Sequence, residues 1–271
     1  MERAVAHSIV NTKLTFSEEE YSKFKYGSKS LAKKFASELW KKTKNQILKK
    51  ISSLDKYSVS IIIYGAPYNQ LPVASTFLAK YFSQHIDLPG VTVKNGKISR
   101  LHSYHDDYGS MSIEDRSKSL SGESFSFVDD PNKYDIVIFI DDIFITGAHE
   151  VRVSKLAKEV GVLDKSMFLY YAKLDTTDIA PQLESHLNLF ALQSEDEILN
   201  HFKSISKNLD VAFNTRTIKY LLRLESELLE KICYSMPRRV YTDFIKNCQK
   251  NGYSKHELYK ENYKSIKSIN Y

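Results

Sequence analysis

The stretch IVIFIDDIFITGAHE, residues 136–150, runs five apolar residues straight into Asp141 and Asp142, and Thr146-Gly147 begins five positions after the first carboxylate. Backbone N–H groups from Thr146 to His149, left unpaired at a helix start, can cradle a phosphate, and the Thr146 hydroxyl adds a donor. Two carboxylates beside such a cradle can accept hydrogen bonds from sugar hydroxyls. The stretch therefore suits a phosphorylated sugar. A plainer reading also fits the same residues: Asp favours turns and caps after a strand, and Glu150 is favourable at any helix start.

These residues need elements to hold them. VSIIIYG (59–65) and IVIFI (136–140) are short, uniformly apolar runs, as expected of strands covered on both faces. Each leads through a loop into a helical pattern: PVASTFLAKYFSQ, with Pro72 able to occupy the first turn, and EVRVSKLAKEVG, which stops at Gly161. SMFLYYAKL (166–174) is a further buried strand. Between the two units, Asn95-Gly96 in VTVKNGKISR predicts a hairpin turn, followed by a long polar loop over 101–125. Leu31, Phe35, Leu39, Ile47 and Ile51 recur at helical spacing from Ser28 to Ser53, with lysines on the solvated face.

Alternating strands and helices predict an α/β fold, a parallel-dominated sheet flanked by helices, with its binding face at the strand carboxyl ends. The expected organisation is an N-terminal helical segment (1–54), an α/β core (55–189) and a helical C-terminal extension (190–271).

With these elements placed, VIFIDDIFITGAH (137–149) resembles the phosphoribosyl pyrophosphate (PRPP) signature of type I phosphoribosyltransferases. It departs where His149 replaces a small hydroxyl residue and where Ile145 replaces a small one. Upstream, IIIYGAPYNQLPVASTFLA (61–79) is similar to the family's pyrophosphate loop, with Tyr68-Asn69-Gln70 at the usual Arg-Gly-Gly positions. An ordinary strand-to-helix loop fits that segment as well. The resemblance covers roughly residues 55–175. It implies transfer of 5-phosphoribose from PRPP to a nitrogenous acceptor, with release of pyrophosphate. It implies a 5′-phosphate on Thr146, Gly147, Ala148, His149 and Glu150, and ribose hydroxyls on Asp141 and Asp142. The pyrophosphate would lie on Ala66, Pro67, Tyr68, Asn69 and Gln70, with Mg²⁺ bound through the substrate beside the two aspartates. A loop over 94–126 would cover the reacting centre; Lys97, Arg100, His102, Tyr104, Tyr108 and Arg116 are its candidate pyrophosphate contacts, Arg100 and Arg116 first. The HSYHDD cluster (102–107) fits no metal-ligand spacing and reads as a solvated loop.

Two alternatives stay open. One is a regulator that senses PRPP or a nucleotide without transfer, favoured by the missing arginine; the other is a nucleic-acid-binding protein on the same scaffold. A net charge of +6 in 271 residues suits phosphorylated ligands as well as nucleic acid, and no nucleic-acid motif is present. A homodimer is compatible with the sequence. The two cysteines, Cys233 and Cys248, fit no zinc pattern, and no signal-like or membrane-spanning run occurs, so a cytoplasmic protein with no membrane partner is expected.

Overall fold

A computed structural model describes residues 2–10, 13–100, 125–175 and 182–269. In chain order its strands and α-helices are β1 (Glu2–Ile9), α1 (Glu18–Lys25), α2 (Lys29–Ser52), β2 (Val59–Tyr64), α3 (Ala74–Ser83) and β3 (Val91–Gly96). Next come β4 (Ile98–Arg100), β5 (Phe125–Phe127), β6 (Ile136–Phe144), α4 (Ala148–Glu159) and β7 (Ser166–Leu174). The helices α5 (Gln182–Leu189), α6 (Glu195–Lys207), α7 (Thr215–Leu221), α8 (Ser226–Ser235), α9 (Arg238–Lys250) and α10 (Lys260–Lys267) follow.

The described chain divides into two compact units. The first comprises residues 1–17, 32–69 and 75–185 and holds a five-stranded sheet in the order β1-β7-β6-β2-β3, with every neighbouring pair parallel. The apolar runs become its centre: Ile61, Ile62, Ile63, Ile138, Met167 and Leu169 are fully or almost fully buried, as strands covered on both faces require. Phe35 of α2 stacks on Tyr171 at 4.2 Å on one face, while Val153 and Ala157 of α4 pack with Phe139, Phe168 and Tyr170 on the other. From β2 the chain passes to β3 on one side, whereas from β6 it passes to β7 on the other. The adjacent strands β2 and β6 are thus the switch point of the sheet, where a crevice opens at the carboxyl ends.

The second unit comprises residues 18–31, 70–74 and 186–271 and is helical. Its core gathers Tyr26, Phe202, Leu221, Ile232, Phe244, Tyr259 and Ile266. Ser194 and Glu197 form a capping box at the start of α6, as the amphipathic pattern of EDEILNHFKSI and the Ser before it require.

Four sequence expectations are corrected. Within residues 1–54, expected to be helical, α1 and α2 are helices but Glu2–Ile9 form β1, paired in parallel with β7 from Glu2↔Met167 to Ile9↔Leu174. Asn95-Gly96 make no hairpin turn, because β3 continues as the parallel partner of β2 through Tyr64↔Gly96. A side chain at Gly96 would lie 2.3 Å from the Tyr64 ring, so the glycine answers to close packing and not to turn geometry. The antiparallel pair is instead β4 with β5, Ile98↔Phe127 to Arg100↔Phe125, on either side of residues 101–124. Pro72 precedes α3 rather than sitting in its first turn, and β6 runs to Phe144, past both aspartates.

Candidate functional site

Gly65 follows β2 directly, and a Cβ there would stand 2.7 Å from Thr76 Cα and 2.9 Å from the Ser75 carbonyl oxygen. Only glycine lets the strand end press against the start of α3. The Ala66 N–H donates to Ser75 Oγ at 3.1 Å, which fixes the loop just where it turns. Further on, the Tyr68 N–H donates to the Ile98 carbonyl and the Arg100 N–H donates to the Tyr68 carbonyl. Lys97 Nζ donates to the Asn69 carbonyl at 2.7 Å and lies 4.7 Å from the Tyr68 ring centre. Tyr68 is therefore tied to β4, and Asn69 to Lys97 just before it.

On β6 consecutive side chains point to opposite faces. Asp141 shares the α4 face with Phe139, and Asp142, 5% exposed, turns to the other. Asp141 Oδ1 accepts from the Asp142 N–H at 3.0 Å, and its Oδ2 lies 3.4 Å from His149 Nδ1. The turn into α4 is made by Gly147 in the left-handed region at φ 72°, where any other residue would be strained. The Phe144 ring packs beneath it, 2.8 Å from where a Cβ would fall. Thr146 Oγ accepts from the Ala148 N–H at 3.4 Å.

Glu150, in the first turn of α4, is buried and fully engaged. Arg3 of β1 donates from Nε to both carboxylate oxygens at 2.9 and 2.8 Å and from Nη2 to one at 2.5 Å. The Tyr170 hydroxyl donates to the same carboxylate at 2.8 Å. The guanidinium pKa is raised chiefly by its hydrogen bond to Glu150, and burial followed by that same carboxylate pushes the Tyr170 hydroxyl far above its usual range. Glu150 is thus a wall residue whose carboxylate is held in an ion pair.

These segments converge on a cleft of about 300 Å³, counting its open mouth. Gly65, Ala66 and Pro67 supply one side; Asp141, His149 and Glu150 supply the polar side opposite. Phe139, Ile140, Val153, Phe168 and Tyr170 make the apolar floor. Of the expected site residues the cleft wall thus contains Ala66, Pro67, Asp141, His149 and Glu150. Thr146, Gly147 and Ala148 form the turn leading to His149, while Asp142, Tyr68, Asn69, Gln70 and Arg100 lie outside the lining. Arg116, His102, Tyr104 and Tyr108 lie outside the described residues. Arg3 and Tyr170 escape sequence reasoning because they sit on strands distant in sequence from Glu150, Arg3 by 147 positions. Among the described residues no group of three or more His, Cys, Asp or Glu could hold a metal, and no helix is long and apolar enough to cross a membrane.

The family model described as PRTase ComF-like matches residues 1–266, so the match extends well beyond the two motifs on both sides. No curated protein matches the sequence.

Proposed function

The chain belongs to the PRTase ComF-like family, whose fold is of the phosphoribosyltransferase type, and from that premise we propose that it binds PRPP in the cleft and transfers its 5-phosphoribosyl group to a nitrogenous acceptor. The observation that carries this reading is the convergence of Gly65–Pro67 and Asp141–His149 on one crevice at the sheet's switch point. In the reaction the C1–O bond to pyrophosphate breaks, a C1–N bond forms, and the proton on the attacking nitrogen passes to water. The 5′-phosphate is assigned to the turn from Thr146 to His149, where the α4 N-terminus offers N–H groups and a favourable dipole. Asp141 accepts from the ribose hydroxyls and offsets positive charge growing on the sugar ring. Ala66 and Pro67 border the leaving pyrophosphate.

Mg²⁺ is the ion this reading implies, because it shares its coordination with substrate phosphates and water and needs no full protein cage. Asp141 would accept from a water on that ion, and the ion would neutralise charge on the departing pyrophosphate. A second reading, binding of PRPP or a nucleotide without transfer, is favoured by one observation: the loop after β2 carries no cation at Tyr68-Asn69-Gln70, with Tyr68 bound to β4 and Asn69 to Lys97.

The test is calorimetric titration of the protein with PRPP, with and without Mg²⁺, followed by a pyrophosphate-release assay over a panel of purine and pyrimidine bases. Mg²⁺-dependent binding with release supports transfer. Binding without release for any base selects the sensor, and absence of PRPP binding rejects both transfer and PRPP sensing.

A further inference from the structure

Two carboxylates, Asp141 and Glu150, stand on the cleft wall, and among the described residues no lysine or arginine lines it. That is an unfavourable setting for an anion. Glu150 is the deeper of the two in packing terms, with its side chain 4% exposed, and it cannot turn away because Tyr170 holds it from β7. Among the described residues the cation on it is Arg3, which approaches from β1. Its Nε and Nη2 are spent on the carboxylate, and its guanidinium lies 5.7 Å from the Phe144 ring centre, beside the turn that Gly147 makes.

We propose that Arg3 is a positioning residue that shields the ligand from Glu150: by neutralising this carboxylate it lets an anionic sugar phosphate settle against the α4 N-terminus. The inference rests on the reading of the cleft as a PRPP site. The charged and titratable groups facing Glu150 are Arg3 from β1 and Tyr170 from β7; Asp141 from β6 and His149 from α4 itself share its wall. With Arg3 in place the wall carries the charge of Asp141 alone; without it, the charges of Asp141 and Glu150 both face the phosphate. Glu150 in turn fixes the α4 first turn through its bonds to two strands. A glutamine would keep the shape and much of the hydrogen bonding while removing the repulsion.

The discriminating experiment is PRPP titration of four proteins: wild type, Arg3→Met, Glu150→Gln and the double variant, each checked by thermal melting. Shielding predicts that Arg3→Met weakens PRPP binding about tenfold or more and that the double variant returns to within about threefold of wild type. A double variant as weak as Arg3→Met overturns the shield, because a residue that touches the ligand or merely anchors β1 would not be rescued by removing a second charge. If Arg3→Met does not fold, Glu150→Gln decides: binding at least as tight as wild type supports shielding, and binding weakened more than about threefold overturns it. Wild type that binds no PRPP overturns the PRPP reading and the shield together. Wild type that binds, with Arg3→Met unrescued, overturns the shield alone.

Discussion

Replacing Asp141 and Asp142 by asparagine, one at a time, should produce opposite phenotypes although the residues are neighbours. Asp141 stands on the cleft wall beside His149, and Asp142 points to the other face of the sheet, 5% exposed. In the proposed complex the Asp141 carboxylate accepts from two ribose hydroxyls. Each such bond to a charged acceptor contributes about 1.5–3 kcal/mol, and asparagine keeps one acceptor oxygen. The expected loss is therefore one bond, about 1.5–3 kcal/mol, or roughly ten- to hundredfold in Kd. Because Asp141 is partly exposed at a cleft, the melting temperature should hardly change. Asp142→Asn alters a buried polar group instead and should cost about 1–3 kcal/mol of stability. At this chain length that lowers Tm by roughly 2–10 °C, while PRPP affinity stays within about threefold of wild type. Calorimetry and thermal melting on the two variants read both axes. Binding lost in Asp142→Asn at unchanged Tm, or retained in Asp141→Asn, would refute the assignment of the two faces.

Gly65→Ala should destabilise by about 1–3 kcal/mol, because its Cβ meets backbone atoms of α3 that cannot swing aside; an unchanged urea midpoint would show that the contact relaxes. Burial lowers the His201 pKa to about 4, where its ring stays neutral against the Tyr26 carbonyl. The unfolded chain then binds the extra proton first, so stability should fall as pH drops from about 6.5 towards about 4, and His201→Gln should flatten that slope in pH-dependent urea melts. Asp135 is held well below the usual carboxylate range, first by Lys56 and then by the N–H and hydroxyl of Ser60. Its contribution is complete above about pH 4 and is lost as pH falls towards its folded value, so the wild type should lose more melting temperature between about pH 4 and pH 2 than Asp135→Asn does; equal losses in the two would show that no such linkage exists.

The α/β alternation and the two motifs could be read because their signals are local: apolar runs of strand length followed by glycine and a helical pattern. The β1 strand could not. ERAVAHSI lies at a sheet edge with only Ala4 and Ile9 buried, so it lacks the continuous apolar run that marks the inner strands. Asn95-Gly96 misleads because a turn-favouring pair also suits a strand that must pass close to an aromatic ring. The division of Asp141 from Asp142 follows from period-two geometry once β6 is known to continue to Phe144, yet the apolar run IVIFI alone ends before them. Glu150 reads as a helix-start carboxylate in sequence; its burial by Arg3 and Tyr170 depends on the order of strands across the sheet, which no spacing encodes.

The pairing of β1 with β7 has a consequence for biosynthesis. At roughly 5–20 residues added per second, the first strand emerges roughly ten to thirty seconds before its partner around Met167. During that wait its backbone donors and acceptors are unmatched, the circumstance in which an apolar strand would recruit another chain. Its polar side chains, Glu2, Arg3, His7 and Ser8 among them, make it a poor template for such association. The wall around Glu150 is then completed only when the last strand of the sheet is in place, so a chain truncated before β7 would lack Tyr170 and the strand on which β1 must pair to bring Arg3 to that carboxylate.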